Sequence, residues 1–330
     1  MSNWQSKING DPLPWLLEAE NPSVRYFALR ELLDRGKNDR DVIVAKAAIM
    51  QSAPVKRMLV AQKAEGYWVK PGSGYSPKYQ STDWQILFLA EMGVDGRDRR
   101  VLQGCEYLLE HAPADNGGFS AYANARPSGA IHCLNGNLIW ALVTLGRKDD
   151  ERVRAAVDWL AGSITGDDFD AFNSIVPGPG FKCGANMKQP CAWGAVKALR
   201  ALAVVPKEWK TPRVKKATEM AAAFLFSCDL AKADYPFTAR VSGEWFKFGF
   251  PLSYTSDVLE ALLALTEAGY GGDPRLKNAV ALVLSKQDAQ ARWAMKHSLN
   301  GKMWADIEEK GKPSKWVTLR ALRVLKAIYP

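Results

Sequence analysis

The feature that most constrains the fold is a repeat of about 60 residues that runs through the chain. Short polar tags, each followed by an amphipathic stretch, begin at Asp39, Asp98, Asp150, Thr211 and Asp273. A second type of segment, rich in alanine and leucine, alternates with them and covers 24–36, 82–93, 133–146, 191–205, 256–269 and 315–328. Aligning these segments on Ala28, Phe88, Ala141, Ala198, Ala261 and Ala321 gives spacings of 60, 53, 57, 63 and 60 residues. That period is too long for the common helical repeats of about 34 to 47 residues.

Each repeat has the pattern of a helical hairpin. The tags place an N-capping residue before the first apolar position, which is a helix-start signal. The second segments are apolar nearly all round, as expected for helices buried between an outer ring and a central cavity. With 12–20 as the first outer helix, the sequence predicts an all-α protein, an α/α toroid of six outer and six inner helices. We expect one domain over 1–330, in which 1–36 forms the first and least regular hairpin.

Two alternatives to this fold follow from the same pattern. Strand-like stretches occur only at 237–241 and 245–250, which makes a sheet-based fold improbable. An open solenoid of helix pairs would use the same hairpins without closing them into a ring.

Charge and composition limit the location and the partners. The net charge is +9, but the basic residues are scattered along the chain. This favours anions such as diphosphates or acidic lipid surfaces over nucleic acid, so contact with a membrane surface is left open and no nucleic-acid partner is expected. The start of the chain lacks a signal-peptide pattern and no apolar run approaches 18 residues, so we expect a cytoplasmic protein. Five cysteines without symmetrical spacing do not indicate a disulfide framework.

Loops between the outer and inner segments carry a glycine-aromatic signature. The clearest copy is Gln-Lys-Ala-Glu-Gly-Tyr-Trp at 62–68, with a decayed copy at 287–293 and partial ones at 116–119 and 300–304. The signature resembles the Gln-Trp repeat of squalene cyclases and the Gly-Gly-Phe loops of protein prenyltransferase β-subunits. Both belong to the terpenoid cyclase and protein prenyltransferase α/α-toroid superfamily. The resemblance implies an isoprenoid-processing enzyme that holds an apolar substrate, with or without a diphosphate, in a central cavity.

Cysteine and histidine residues cluster at two neighbouring inner segments. His132 and Cys133 begin the third, while Cys183 and Cys191 flank the start of the fourth. Zinc binds about four tetrahedral ligands that are close in space rather than in sequence. The sequence therefore predicts a zinc cofactor held by three of these four side chains, with the fourth position left to water or substrate.

The resemblance both supports and weakens this zinc site. The zinc ligands of protein prenyltransferases include an Asp-x-Cys pair followed by a His on consecutive inner helices, and Cys133 matches that Cys. Ile131 and Gln189 stand where the Asp and the His are expected, so the other three side chains would have to substitute. The alternative is that these cysteines are small buried apolar residues, which is our expectation for Cys105 and Cys228.

Two aspartates are candidates for a metal-independent acid. Class II terpene cyclases protonate an alkene with the Asp of an Asp-x-Asp-Asp motif at an inner-helix start. The segment Tyr-Thr-Ser-Asp that ends at Asp257 has a comparable position and keeps only the last Asp. Asp83 follows Ser-Thr at another inner-helix start. A buried carboxyl with a raised pKa can act as a general acid, although both aspartates could instead cap helices. The Asp-Asp-Phe-Asp run at 167–170 is predicted to be a solvated loop.

Aromatic residues on the inner segments are candidates for the walls of the pocket. We expect substrate contacts from Trp84, Trp140, Trp193 and Trp316, since aromatic rings stabilise cationic intermediates. Asn137 and Lys315 are polar candidates at the same ends of the inner helices. The sequence contains no Walker loop, dinucleotide fingerprint or nucleophile elbow. The few polar residues of the inner segments argue against a glycosidase toroid, which needs two facing carboxylates. A non-catalytic toroid that binds a lipid or a protein is the alternative.

Overall fold

The computed structural model describes residues 3–122, 129–167, 178–236 and 243–330. The regular secondary structure of these residues is helical, and their extended segments meet only in isolated β-bridges. The prediction of an all-α fold is therefore confirmed. The strand-like stretch at 245–250 forms no strand, because Gly243–Phe246 is a 3-10 turn and Gly249 makes a single bridge to His297. The other strand-like stretch, 237–241, lies outside the described residues.

Every apolar segment predicted to be an inner helix contains a helix. In chain order these are α2 (Pro22–Phe27, continued by a π-helical turn Ala28–Leu32), α5 (Thr82–Glu91), α7 (His132–Thr144), α9 (Ala192–Val204), α11 (Val258–Glu267) and α13 (Lys315–Ile328). They pack in sequence, α5 on α7, α7 on α9, α9 on α11, α11 on α13 and α13 on α2. This order of contacts is consistent with the predicted toroid.

Five outer helices start where the polar tags predict. They are α3 (Arg40–Ile49), α6 (Arg99–His111), α8 (Glu151–Thr165), α10 (Pro212–Phe226) and α12 (Lys277–Leu284, after a 3-10 turn Pro274–Leu276). Two further helices follow no tag: α1 (Leu13–Leu16), which is shorter than the predicted first outer helix at 12–20, and α4 (Ala53–Val60). The first residue of each tag accepts a hydrogen bond from a backbone N–H of the first helical turn; these caps are Asp39, Asp98, Asp150, Thr211 and Asp273. Among the described residues, every helix is too short or too polar to cross a bilayer.

The Gln-Trp segments tie outer helices to inner ones. The Trp68 indole N–H donates to the Met58 carbonyl (2.7 Å) and its backbone N–H to the Thr82 hydroxyl (3.2 Å). The decayed copy repeats both bonds, from the Trp293 indole to Val283 (2.7 Å) and from its backbone to the Thr318 hydroxyl (3.0 Å). The shared pattern therefore has a structural role, since each tryptophan joins the end of one outer helix to the first turn of the next inner helix.

Candidate functional site

The amino-terminal ends of α7 and α9 face a cavity of about 600 Å³. Its wall contains four aromatic side chains, Tyr75, Tyr122, Trp193 and Tyr254, and we call it the aromatic cavity. The sequence predicted an apolar site at this end of the inner helices. Tyr75 and Tyr122 come from loops, which the helix pattern did not mark.

Two glycines explain why α7 and α9 approach closely here. A Cβ atom on Gly136 would lie 2.4 Å from the backbone carbonyl carbon of Lys197, so only glycine fits. A Cβ atom on Gly194 would lie 3.2 Å from the Cβ of His132. The tight crossing brings the first turns of both helices to the same cavity wall.

All four predicted metal ligands reach this wall. His132, Cys133, Cys183 and Cys191 line the aromatic cavity. The Cys183 and Cys191 thiols perturb each other: the interaction with Cys191 lowers the pKa of Cys183 to about 6, and the interaction with Cys183 raises the pKa of Cys191. Burial raises the pKa of Cys133 to about 12 and lowers that of His132 to about 4. The His132 ring packs against Trp159 and Phe181, with centroid distances of 6.1 and 5.5 Å.

The arrangement of these four side chains does not assemble a metal centre. Among the described residues, no three His, Cys, Asp or Glu side chains are placed to hold one ion together. Burial raises the pKa of the Cys133 thiol in the metal-free chain, but a bound zinc ion would itself deprotonate a coordinating thiol. The zinc cofactor therefore stays a prediction from the sequence.

The predicted substrate-binding tryptophans occupy different layers. Trp193 lies in the wall of the aromatic cavity, 6.2 Å from the ring of Tyr254. Trp84 stands behind that wall, 5.3 Å from Tyr75 and 6.3 Å from Tyr254, and donates its indole N–H to the Tyr75 carbonyl at 2.8 Å. Trp140 lies deeper, where the Arg200 guanidinium stacks on its ring at 3.7 Å.

The remaining predicted substrate residues are engaged elsewhere. Lys315 and Trp316 line a second cavity of about 300 Å³. The Trp316 ring stacks on Phe250 at 3.8 Å, and the Lys315 ammonium pairs with Glu18 at 2.6 Å. Asn137 donates its amide to the Ser253 carbonyl at 2.9 Å, so it fixes the segment before α11. A position at an inner-helix start therefore does not determine which cavity a side chain faces.

Asp83 is a buried carboxyl directly behind the wall of the aromatic cavity. Its side chain is 1% exposed, and neither carboxyl oxygen has a hydrogen-bond partner among the described residues. Burial therefore raises its pKa well above the usual range. A Cβ atom on Gly74 would lie 2.6 Å from the Asp83 carboxyl, so the acid packs against the glycine that precedes the cavity residue Tyr75.

The Asp257 carboxylate is held by hydrogen bonds and an ion pair. Its carboxylate caps α11 by accepting from the Glu260 backbone N–H (2.7 Å), and it also accepts from Gly249 (3.2 Å). The Arg320 guanidinium pairs with it at 3.3 Å and opposes the increase in pKa that burial causes. Asp257 is not among the residues that line the aromatic cavity.

One to two turns below the cavity, buried charges connect the inner helices. The Lys197 ammonium lies 2.7 Å from both oxygens of Glu260, and Arg200 pairs with Glu91 (2.6 Å) and Glu260 (3.3 Å). We call these four residues the ion layer. The sequence analysis missed it, although charged residues inside such apolar segments were a signal for it.

Comparison with known proteins finds similar structures but no matching sequence. No family model matches the chain, and no curated protein matches it. The structure is similar to the Lin0763 protein from Listeria innocua at 13% identity, over 92% of this chain and 84% of that one, with a TM-score of 0.46. A protein from Actinoplanes is 14% identical over 86% and 100%, with a TM-score of 0.30. The type II terpene cyclase MstE from Scytonema is 12% identical over 85% and 97%, with a TM-score of 0.32. Because identity and TM-scores are low, a function has to be argued from the cavity itself.

Proposed function

We propose that this protein processes an isoprenoid, or a similarly elongated apolar molecule, in the aromatic cavity through a protonation-initiated cationic reaction. The observation that carries the proposal is the buried carboxyl of Asp83, whose oxygens have no hydrogen-bond partner among the described residues, directly behind a wall of aromatic rings. Asp83 is the proposed acid, and the aromatic side chains are the proposed surface for the cationic intermediate.

The cavity has the size and lining that such a substrate needs. About 600 Å³ falls within the usual range of small-molecule sites. Aromatic faces attract a cation by about 0.5–2 kcal/mol each, so Tyr75, Trp193 and Tyr254 would stabilise positive charge on carbon. The exposed Lys78 ammonium lies 4.2 Å from the ring centre of Tyr254. It would attract an anionic or polar head group and leave the apolar tail in the cavity.

The acid step moves one proton and returns it. The Asp83 carboxyl gives its proton to one alkene carbon, the other carbon becomes the cation, and a second alkene attacks that cation to close a ring. Loss of a proton from the last cation restores the acid, so substrate and product have the same mass. Because Asp83 lies behind Gly74, this step requires the Gly74–Tyr75 segment to move aside. The three hydrogen-bonding partners of Asp257 favour Asp83 over Asp257 as the acid.

The test is conversion of polyprenyl probes by matched variants. Wild-type protein, Asp83→Asn and Asp257→Asn are incubated with a polyprenyl alcohol, a polyprenyl diphosphate and a polyprenylated arene, and products are separated by chromatography with mass detection. We expect an isomer of unchanged mass from wild type, and its loss in Asp83→Asn with probe binding retained, because an amide cannot protonate an alkene. Unchanged turnover in Asp83→Asn would remove Asp83 from the mechanism.

A non-catalytic binding protein is the second candidate. The observation that favours it is that Asp83 does not itself line the cavity. Binding of all three probes with no conversion of any would support this candidate against the enzyme.

Zinc-dependent prenyl transfer is a further proposal, and it rests on the four sequence-predicted ligands. Elemental analysis should then find about one zinc per chain in wild type and in Cys105→Ser, and much less in Cys133→Ser and Cys191→Ser, since each thiolate is one of about four ligands. Far less than one zinc in wild type, after expression with added zinc, would contradict it.

A further inference from the structure

We propose that the second cavity, which Lys315 and Trp316 help to line, is a binding site for a small organic ammonium ion such as an aliphatic diamine. The proposal does not depend on the isoprenoid chemistry, because the second cavity and the aromatic cavity share no lining residue. It gives a ligand to a part of the molecule that the proposed function leaves unused.

The wall of the second cavity combines buried apolar side chains with carboxylates. Met92, Ile307 and Trp316 line it and are each at most 4% exposed, so the deep part of the wall is apolar. Glu20 and Asp306 add exposed carboxylates. The volume of about 300 Å³ is at the lower end of the usual range for small-molecule sites. A ligand with a charged group and a short carbon chain therefore fits this wall.

The charges of the wall favour a cation. Three carboxylates, Glu20, Asp306 and Glu308, line the cavity together with one ammonium group, that of Lys315. This ammonium already pairs with Glu18 at 2.6 Å. An anionic ligand would therefore meet an excess of negative charge, whereas a cationic ligand would be attracted by it.

Two of the carboxylates are held by the loop at 300–304, which the sequence analysis identified as a partial glycine-aromatic copy. The Asn300 amide donates to the Glu308 carbonyl at 2.7 Å. Asp306 accepts from the Gly301 N–H at 2.7 Å through one oxygen, which leaves its other oxygen for a ligand. The loop thus positions this side of the cavity before a ligand binds, which reduces the entropy lost on binding.

A buried hydroxyl is an independent indication of a ligand. Ser23 lines the second cavity and is 3% exposed. Its hydroxyl makes no hydrogen bond within the described part of the chain. A buried polar group without a partner is unfavourable, and the N–H of a bound ammonium ion would provide the Ser23 oxygen with a donor.

An organic ammonium ion suits these groups better than a metal ion. In the ranges that the structure describes, no three His, Cys, Asp or Glu side chains are placed to hold one metal ion, so the carboxylates of the wall do not converge on a point. An ammonium group carries three N–H donors, and the carbon chain of a diamine separates two such groups. A diamine can therefore reach carboxylates that lie apart, while its methylene groups cover the apolar part of the wall.

Titration calorimetry with cadaverine, a five-carbon diamine, tests the proposal. The diol and the dicarboxylate of the same chain length are the neutral and anionic comparison probes. We expect wild-type protein to bind the diamine and neither of the other two. Asp306→Asn keeps the acceptor for Gly301 but loses the charge, so it should weaken diamine binding roughly tenfold, and Ser23→Ala should weaken it severalfold. Glu106→Gln, which removes an exposed carboxylate on α6, is the matched control and should bind as wild type does.

Three results would overturn the proposal, with folding of all variants checked by circular dichroism. The first is wild-type protein that does not bind the diamine. The second is wild-type protein that binds the diol or the dicarboxylate as tightly as the diamine. The third is unchanged diamine affinity in both Asp306→Asn and Ser23→Ala.

Discussion

The aromatic cavity and the ion layer use the same inner helices to opposite effect. At its start α9 gives Cys191, Trp193 and Gly194 to an open wall, and one to two turns later it gives Lys197 and Arg200 to a closed layer of charges. The upper level leaves about 600 Å³ unfilled, while the lower level is filled by paired side chains. The contrast shows that one inner helix can line a cavity with its first turn and form buried ion pairs with the turns that follow.

The two levels also differ in energy. Charges buried in the ion layer lose their hydration, and only close pairing offsets that loss. The cavity wall loses less hydration because aromatic rings make up much of it and burial raises the pKa of the Cys133 thiol to about 12, and burial likewise raises the pKa of Asp83 behind it. We therefore expect substitutions in the ion layer to change stability, and substitutions in the cavity wall to change binding and chemistry.

The largest effect is expected from Glu260→Gln. The change leaves Lys197 and Arg200 without the carboxylate that both contact. Breaking a buried pair on one side costs about 3–5 kcal/mol, and chemical denaturation would measure it. Glu106→Gln is the matched control, because its exposed bridge to Arg152 is worth about 1 kcal/mol or less. Equal losses in the two variants would contradict a structural role for the ion layer.

Gly136→Ala tests the close crossing of α7 and α9, the helices whose first turns line the aromatic cavity. The added Cβ meets the backbone of Lys197 rather than a flexible side chain, so the helices must separate. Overpacking of this kind costs about 1–3 kcal/mol, measured by the same denaturation. Gly36→Ala is the control, since its Cβ would meet nothing within 4 Å. A Gly136→Ala protein as stable as Gly36→Ala would show that the crossing tolerates separation.

The pH dependence of stability tests whether Asp83 is neutral. Burial raises its pKa in the folded chain, so the unfolded carboxyl, with a pKa of about 3.9, releases its proton first. Its contribution to stability is complete below about pH 4 and is lost as pH rises toward the folded pKa. Asp83→Asn should therefore lose less stability than wild type as the pH is raised from 4 to 7. Parallel pH profiles would show an ionised Asp83.

A smaller effect, on ligand affinity, should distinguish Trp193 from Trp140, which the sequence analysis predicted alike as substrate contacts. Trp193→Ala removes part of the cavity wall and should weaken binding of farnesol, as an isoprenoid probe, by roughly 1–2 kcal/mol, or about tenfold. Trp140→Ala should leave that affinity unchanged, because Trp140 covers Arg200 in the ion layer. Titration calorimetry on both variants measures the difference. An equal loss of affinity in both would mean that the probe reaches below the cavity.

Local signals in the sequence were enough to predict the helices and their caps. The polar tags and the apolar segments depend on periodicity and on residues adjacent in the chain, so Asp98 and Asp150 could be recognised as helix starts without the fold. The Gln-Trp segment that ends at Trp293 could be recognised although it has lost part of the motif. The indole hydrogen bond of Trp293 repeats that of Trp68.

The site depends on contacts between distant segments, and there the sequence was less informative. It placed both Asp83 and Asp257 at inner-helix starts and favoured Asp257 as the acid, but only the fold gives Asp257 the partner Arg320, 63 residues away. It grouped Trp316 with the cavity residues, whereas stacking on Phe250 places Trp316 beside the second cavity. Tyr75 was missed because a loop side chain has no periodic signal.

Protection of Cys183 from alkylation is the most direct test of the aromatic cavity as the ligand site. Reduced protein is treated with iodoacetamide at pH 7, with and without saturating farnesol, and the rate at each cysteine is followed by peptide mass. The lowered pKa of Cys183, about 6, keeps it reactive, and Cys228 outside the cavity is the internal control. We expect the probe to slow labelling of Cys183 severalfold and to leave Cys228 unchanged. Equal labelling of Cys183 with and without bound probe would contradict the account.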